Sequence, residues 1–160
     1  MQIRDRTITI VHKKGTVLNI FLNPPGQDRA QTQKRVISAF PNACVRTDSR
    51  IKARISGDLR GKFRNPGIKY DLSNLTPFQR RVLIKTAAIP RGECVSYSVL
   101  ARRLGNPGFS RAVGSALAAN PIPIIIPCHR VVRKDGKAGG FMRKKEDKTG
   151  WKRFLLDLES

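Results

Sequence analysis

Residues 96–119 read Ser96-Tyr97-Ser98-Val99-Leu100-Ala101-Arg102-Arg103-Leu104-Gly105-Asn106-Pro107-Gly108-Phe109-Ser110-Arg111-Ala112-Val113-Gly114-Ser115-Ala116-Leu117-Ala118-Ala119, and their punctuation decides the fold of the second half. Ser96 suits the N-cap of a helix carrying Val99, Leu100 and Leu104 on its apolar side. Gly105-Asn106-Pro107-Gly108 ends that helix, and Ser110 can cap another running to about Ala119. Two short helices joined by a tight, glycine-containing turn form a helix-turn-helix. Upstream, Thr76-Pro77-x-Gln79 supplies an N-cap, a proline at N1 and a capping-box glutamine. Phe78, Val82, Leu83 and Thr86 then share one side of a helix that Pro90-Arg91-Gly92-Glu93 stops.

The helix after Ser110 is unusual for a reader of base edges. Its side chains are mostly small, where base readout needs Arg, Asn or Gln. Such a surface admits a nucleic-acid backbone closely; it equally suits a Gly/Ala-rich packing helix inside an enzyme core. Arg111 in its first turn weighs against full burial, because an unpaired buried arginine is costly.

Downstream, the apolar run Ile122-Pro123-Ile124-Ile125-Ile126 leads into Pro127-Cys128-His129-Arg130-Val131. This puts a nucleophile and a base together at the end of a buried segment. The thiolate is the reactive form of cysteine, and an ordinary thiol pKa of about 8.5 leaves only a few per cent ionised at neutral pH. A neighbouring imidazole can take the proton. Gly136 and Gly139-Gly140-Phe141 then suggest turns around short extended pieces, as in a wing, and Arg143-Lys144-Lys145 reads as a solvated basic loop. Trp151, Phe154, Leu155 and Leu158 follow helical spacing, giving a final amphipathic helix. Glu159 borders that stripe at a helix C-terminus, where the macrodipole disfavours a negative charge. It is either an ordinary solvated glutamate or one placed to orient something basic.

The first seventy residues read as a small α/β unit. Thr7–Val11 and Val17–Leu22 are β-rich runs joined by Lys13-Lys14-Gly15, and Asn23-Pro24-Pro25-Gly26 ends the second. A helix is expected over 28–39, with Ala30, Val36, Ile37 and Phe40 among charged residues, and a short helix or turn over 49–55. Arg60–Tyr70, basic and broken by Gly and Pro, is the natural linker. The expected architecture is therefore α+β, with an N-terminal α/β domain over 1–70 and a mostly helical, winged-helix-like domain over 71–160.

Composition narrows the partner. Thirty-two Lys and Arg against eleven Asp and Glu give +21 on 160 residues, a field that concentrates polyanions and makes their binding salt-dependent. A basic membrane-surface or ribosome-like protein has the same balance. Disorder is disfavoured, since 39% of residues are hydrophobic and they are patterned. No run of about 18 apolar residues could span a bilayer, and Met1–Arg6 has no signal-peptide core. The widely spaced Cys44, Cys94 and Cys128 do not form a disulfide framework, so a reducing compartment is expected, cytoplasmic or, in a eukaryote, nuclear. A pairing of Cys44 with Cys94 is a minor alternative. The only histidines are His12 and His129, without zinc-ligand spacing, so neither metal nor cofactor is expected.

Taken together, Cys94-Val95-Ser96-Tyr97-x-x-Leu100-Ala101, Arg111-Ala112-Val113-Gly114, Asn120-Pro121-x-Pro123 and Pro127-Cys128-His129-Arg130-Val131 occur in the order found in O6-alkylguanine-DNA alkyltransferases. The chain resembles that family over about residues 72–160, with several motifs at matching separations. The N-terminal half matches only in position and element content, where the family carries a variable RNase H-like domain.

The resemblance implies a DNA repair methyltransferase that moves an alkyl group from O6 of guanine to its own cysteine, once and irreversibly. Cys128 would be the acceptor, His129 the base through a bridging water, Glu159 the residue orienting His129, and Asn120 the brace of the turn before the active-site strand. Arg111 would enter the base stack as the damaged nucleotide leaves. Tyr97 would crowd its phosphate and donate to guanine N3, with Ser96, Ala112, Gly114 and Ser115 also meeting DNA. Pro123 and Phe141 would wall the alkyl pocket, the carbonyls of Cys128 and Val131 would accept from the guanine amino group, and the Met142 N–H would donate to O6. The partner implied is double-stranded DNA carrying O6-alkylguanine, met by a monomer. After Gly140-Phe141 the family usually continues with a serine or another short polar stretch and more glycine, whereas this chain has Met142-Arg143-Lys144-Lys145. Two readings from other classes remain: a sequence-nonspecific DNA-binding or chromatin protein with an inert Cys128, and a cysteine hydrolase.

Overall fold

The computed structural model describes residues 2–3, 6–23, 29–41, 49–59, 67–142 and 150–160. The chain divides into two compact units, Met1–Leu72 and Ser73–Ser160.

In the first unit the β-branched runs form an antiparallel sheet of β1 (Gln2–Ile3), β2 (Arg6–Lys13) and β3 (Thr16–Asn23), in that order. Lys14 and Gly15, at φ 47° and 78°, make the two-residue turn whose twist matches that of the strands it joins. A bulge between Val11 and His12 shifts the register once. Two helices follow, α1 (Arg29–Ala39) and α2 (Ser49–Leu59). The second is longer than the 49–55 segment expected, because Ile51 and Ile55 recur one turn apart and both are buried. With Val36 they join Ile8, Ile10, Val17 and Ile20 in the core.

The linker reading fails at its described end. Residues 60–66 lie outside the described residues, but Tyr70 bridges Val17, whose N–H donates to the Lys69 carbonyl at 2.8 Å, and Asp71 donates back to Val17 at 3.0 Å. Ile68, buried to 8% exposure, anchors this segment to the unit, so an apolar side chain overrode the Gly/Pro signal.

The second unit contains α3 (Pro77–Ala87), β4 (Val95–Ser96), α4 (Tyr97–Arg103), α5 (Ser110–Ala118), β5 (Val131–Val132) and α6 (Trp151–Glu159). The α3 start is the capping box expected: the Gln79 N–H donates to Thr76 Oγ1, and the Thr76 N–H donates to Gln79 Oε1. Ser96 caps α4 by accepting from the Val99 N–H at 3.2 Å. Ser110 does not cap α5. Asn106 instead accepts from Gly108 and starts a 3-10 turn over Pro107–Phe109 that runs directly into α5, so Ser110 is already helical and donates to the Pro107 carbonyl. The expected wing also takes another form. Arg133–Lys137 makes a tight turn, and the only strand of this stretch among the described residues is β5, paired in parallel with β4.

That parallel pair matters most for the site. Val95 faces Val131 and Ser96 faces Val132, which brings the start of α4, with Tyr97, beside the Cys-His-Arg segment. The segment 122–126, expected to lead in as a buried run, is buried except for the half-buried Ile125, and it is turned: Ile126 donates to Ile122, and Ile124 sits at φ 78°. A β-branched residue there carries strain of order 1–3 kcal/mol, held by the burial of Ile124 itself and of Ile122 and Ile126. Cys128–Arg130 is a single 3-10 turn, not a strand.

Candidate active site

Cys128 starts that 3-10 turn and is buried to 4% exposure. Its sulfur accepts from Asn120 Nδ2 at 3.2 Å, and the same amide donates to the Ile126 carbonyl at 2.9 Å. Asn120 Oδ1 accepts from the Ile122 N–H, so one buried side chain ties the end of α5 to Cys128 across the turn. Burial pushes the Cys128 thiol up, and the Asn120 hydrogen bond and the Lys152 charge oppose that only in part. A thiol raised in this way needs a base.

His129, the next residue, is fully buried. Its Nε2 lies 3.0 Å from Glu159 Oε1 at the end of α6. Burial pulls the imidazole below its ordinary range, against the opposing pull of Glu159, so it is neutral at pH 7. Burial would raise the Glu159 carboxyl, but hydrogen bonds from His129 and Arg130 win and hold it at about 2. An ionised carboxylate only accepts, so His129 must carry its proton on Nε2 and present a lone pair at Nδ1. Nδ1 is buried and has no protein hydrogen-bond partner among the described residues. The imidazole is therefore oriented by its other nitrogen.

Two residues of this network were given no role by the sequence reading, although Arg130 stands in the Pro127–Val131 motif. Arg130 grips Glu159 with two hydrogen bonds of 2.8 Å, from Nε to Oε2 and Nη2 to Oε1, while Nη1 donates to the Ile89 carbonyl at 2.7 Å. Lys152 is 1% exposed. Its Nζ donates to the Val131 carbonyl at 2.7 Å and to the Gly140 carbonyl and the Tyr97 hydroxyl at 3.3 Å. Position 152 directly follows Trp151 and lies a turn before Leu155, which was the only available hint that it flanks the buried stripe. Arg91 completes the end of α6, donating to the Leu158 carbonyl at 2.6 Å, where a cation complements the macrodipole.

Cys128 opens onto a cleft of about 530 Å³. Arg111, Gly114 and Ser115 of α5 form one side, with Tyr97, Phe141 and Met142 also lining it. Pro123 and Val131 do not line it; both are buried, and the Val131 carbonyl already accepts from Lys152. Arg111, Ala112 and Ser115 are exposed, and Ser96 is half-buried. Gly139, at φ 72°, lets the loop lie against Tyr97; an added Cβ would be 3.4 Å from its hydroxyl and 3.1 Å from Arg133 Cγ. Burial and the nearby Cys128 charge push the Tyr97 phenol up, so its hydroxyl remains a donor. Cys94 is exposed, while Cys44 lies outside the described residues, as do 143–149. Among the described residues no cluster of three His, Cys, Asp or Glu could hold a metal, and no helix is long and apolar enough to cross a membrane.

Comparison with known proteins bears on this arrangement. Residues 77–160 match the family model "6-O-methylguanine DNA methyltransferase, DNA binding domain". The chain is 44% identical over 89 residues to a methylated-DNA--protein-cysteine methyltransferase of Methanothermobacter thermautotrophicus, covering 56% of this chain and 47% of that one. It is 52% identical over 73 residues to the Salmonella typhimurium protein of the same name, covering 43% of each. The matched stretch thus spans about half the length of these curated relatives. The crystal structure of Mycobacterium tuberculosis O6-methylguanine methyltransferase superposes with a TM-score of 0.72 at 30% identity, covering 95% of this chain and 85% of that one; the M. tuberculosis OGT in complex with DNA matches equally. With a matching domain over more than half its length, and a mixed helix-and-strand fold shared along nearly all of it, this chain belongs to the 6-O-methylguanine DNA methyltransferase family.

Proposed function

We propose that this protein repairs DNA by drawing O6-alkylguanine out of the duplex and transferring its alkyl group to Cys128 in one irreversible step. The observation that carries the reading is the buried Cys128 sulfur at the floor of a cleft edged by Arg111, beside an imidazole whose free nitrogen is set by Glu159. In the reaction, His129 Nδ1 takes the thiol proton through a bridging water and the sulfur attacks the alkyl carbon. The C–O6 bond breaks with its electron pair going to guanine, whose charge is met by donors at Tyr97 and the Met142 N–H. The product is a thioether that water does not reverse, so each molecule acts once.

O6 lies inside the duplex, and a fixed thiol reaches it only if the nucleotide is extruded, at a cost of a few kcal/mol. An alkyl lesion weakens pairing and lowers that cost. A helix of small residues suits a searcher that must work in any sequence context, with Ala112, Gly114 and Ser115 against the backbone and Arg111 filling the vacated stack. The residues of this reading come from one chain, which favours action as a monomer wherever chromosomal DNA lies, in the cytoplasm or a nucleus. We read the first unit as the RNase H-like domain and the second as a winged-helix-like domain that both binds DNA and accepts the alkyl group.

Arg111→Ala tests the extrusion step. It should slow transfer from duplex DNA roughly tenfold or more, the rate equivalent of part of the unstacking cost, while transfer from free O6-benzylguanine is nearly unchanged. Equal losses on both substrates would assign Arg111 to pocket shape and remove the extrusion argument.

A further inference from the structure

A second cleft lies away from Cys128 and shares no lining residue with the first. It measures about 440 Å³ and is formed where α3 and α4 end, by Arg81, Ile84, Lys85, Arg103, Leu104 and Gly105. Ile84 is 58% exposed, the most exposed of the large apolar side chains among the described residues, and Leu104 forms the apolar floor behind it. On a helix whose buried face is Val82, Leu83 and Thr86, an outward isoleucine does nothing for the core.

The charge here exceeds what the helices need. Two helix C-termini offer about half a negative charge each, whereas Arg81, Lys85 and Arg103 supply three positive charges. None of the three makes an ion pair among the described residues. Gly105 leaves the rim open, since nothing lies within 4 Å of an added Cβ.

We infer that this cleft docks an acidic segment of a partner protein, with an apolar side chain of that segment seated on Ile84 and Leu104 and its carboxylates on Arg81, Lys85 and Arg103. Charge complementarity requires an anionic occupant. A second copy of this chain, at +21, is repelled. A sugar–phosphate backbone would satisfy the cations but leaves the exposed isoleucine without a counterpart. An acidic segment with an apolar anchor satisfies both, in the manner of small recognition grooves with a buried anchor and a polar rim.

The test uses the full chain and a fluorescein-labelled peptide rich in Asp and Glu with a central Leu-Phe pair. A control peptide carries Ser-Ser in place of that pair and so reports charge alone. Fluorescence polarisation should show saturable binding of the first, with the control weaker by about tenfold or more, roughly the loss of one buried apolar anchor. Ile84→Ser should bring the first peptide down to the level of the control, and R81E/K85E should weaken both. Alkyl transfer and duplex affinity of Ile84→Ser should remain those of the wild type. Equal binding of the two peptides, or wild-type peptide binding by Ile84→Ser, would overturn the proposal. So would an R81E/K85E variant that loses duplex DNA affinity and keeps the peptide, since the cleft would then be a DNA contact.

Discussion

At the scale of single residues, the site is a chain of assignments that begins at Glu159. The carboxylate is held ionised at about 2, its oxygens shared between His129 and Arg130. That fixes the tautomer of His129, and in the proposed transfer its free nitrogen takes the proton of the raised thiol. Glu159→Gln should therefore slow alkyl transfer and move the thiol titration of Cys128 upward, with duplex affinity unchanged. Wild-type rates and an unshifted titration would reduce Glu159 to a structural helix end. The same residues give an acid limb to stability. Both His129 and Glu159 have pKa values below their unfolded ones, so the unfolded chain binds more protons and stability rises with pH. The histidine part is present above about 6.5 and lost below it; the glutamate part is lost between about 4.5 and 2. Chemical denaturation of Glu159→Gln across that lower window should show a flatter pH dependence than the wild type.

At the scale of elements, the clearest object is α5. Gly114 sits inside it, where glycine costs about 1 kcal/mol relative to alanine. An added Cβ would meet only the Tyr97 ring, at 3.8 Å, which is ordinary contact. Nothing in the fold demands the glycine, so its reason lies on the outer face. Gly114→Ala should raise thermal stability slightly and lower duplex affinity; unchanged affinity would mean that DNA does not approach this turn. The elements also show where sequence reasoning works. Thr76 and Ser96 declared their caps because a cap is a local event, decided by residues within a turn of one another. Ser110 misled for the same reason: Asn106, four residues earlier, had already started the turn that absorbed it. Lys152 and Arg130 were illegible because their partners are distant. Lys152 reaches carbonyls at Val131 and Gly140, and Arg130 reaches a carboxylate 29 positions away. The adjacent Cys128 and His129 were legible, and the parallel pairing of β4 with β5 that brings Tyr97 to them was not, since each strand is two residues long.

For the whole molecule, the governing quantity is a charge of +21 over 160 residues. Duplex affinity should be dominated by counterion release and nearly indifferent to sequence. If about four phosphates are neutralised, log K plotted against log salt should fall with a slope near −3.6. A slope near zero, or a strong preference for one operator-like sequence, would contradict a searcher built on electrostatics and a small-residue helix. The central claim, however, is covalent, and intact-mass spectrometry with peptide mapping reaches it most directly. After incubation with duplex DNA carrying O6-methylguanine, the protein should gain the mass of one methyl group, carried by the peptide that contains Cys128. Cys128→Ala should bind the same DNA and gain nothing. A methyl group on Cys94 or Cys44, more than one per molecule, or none on the wild type would contradict the account.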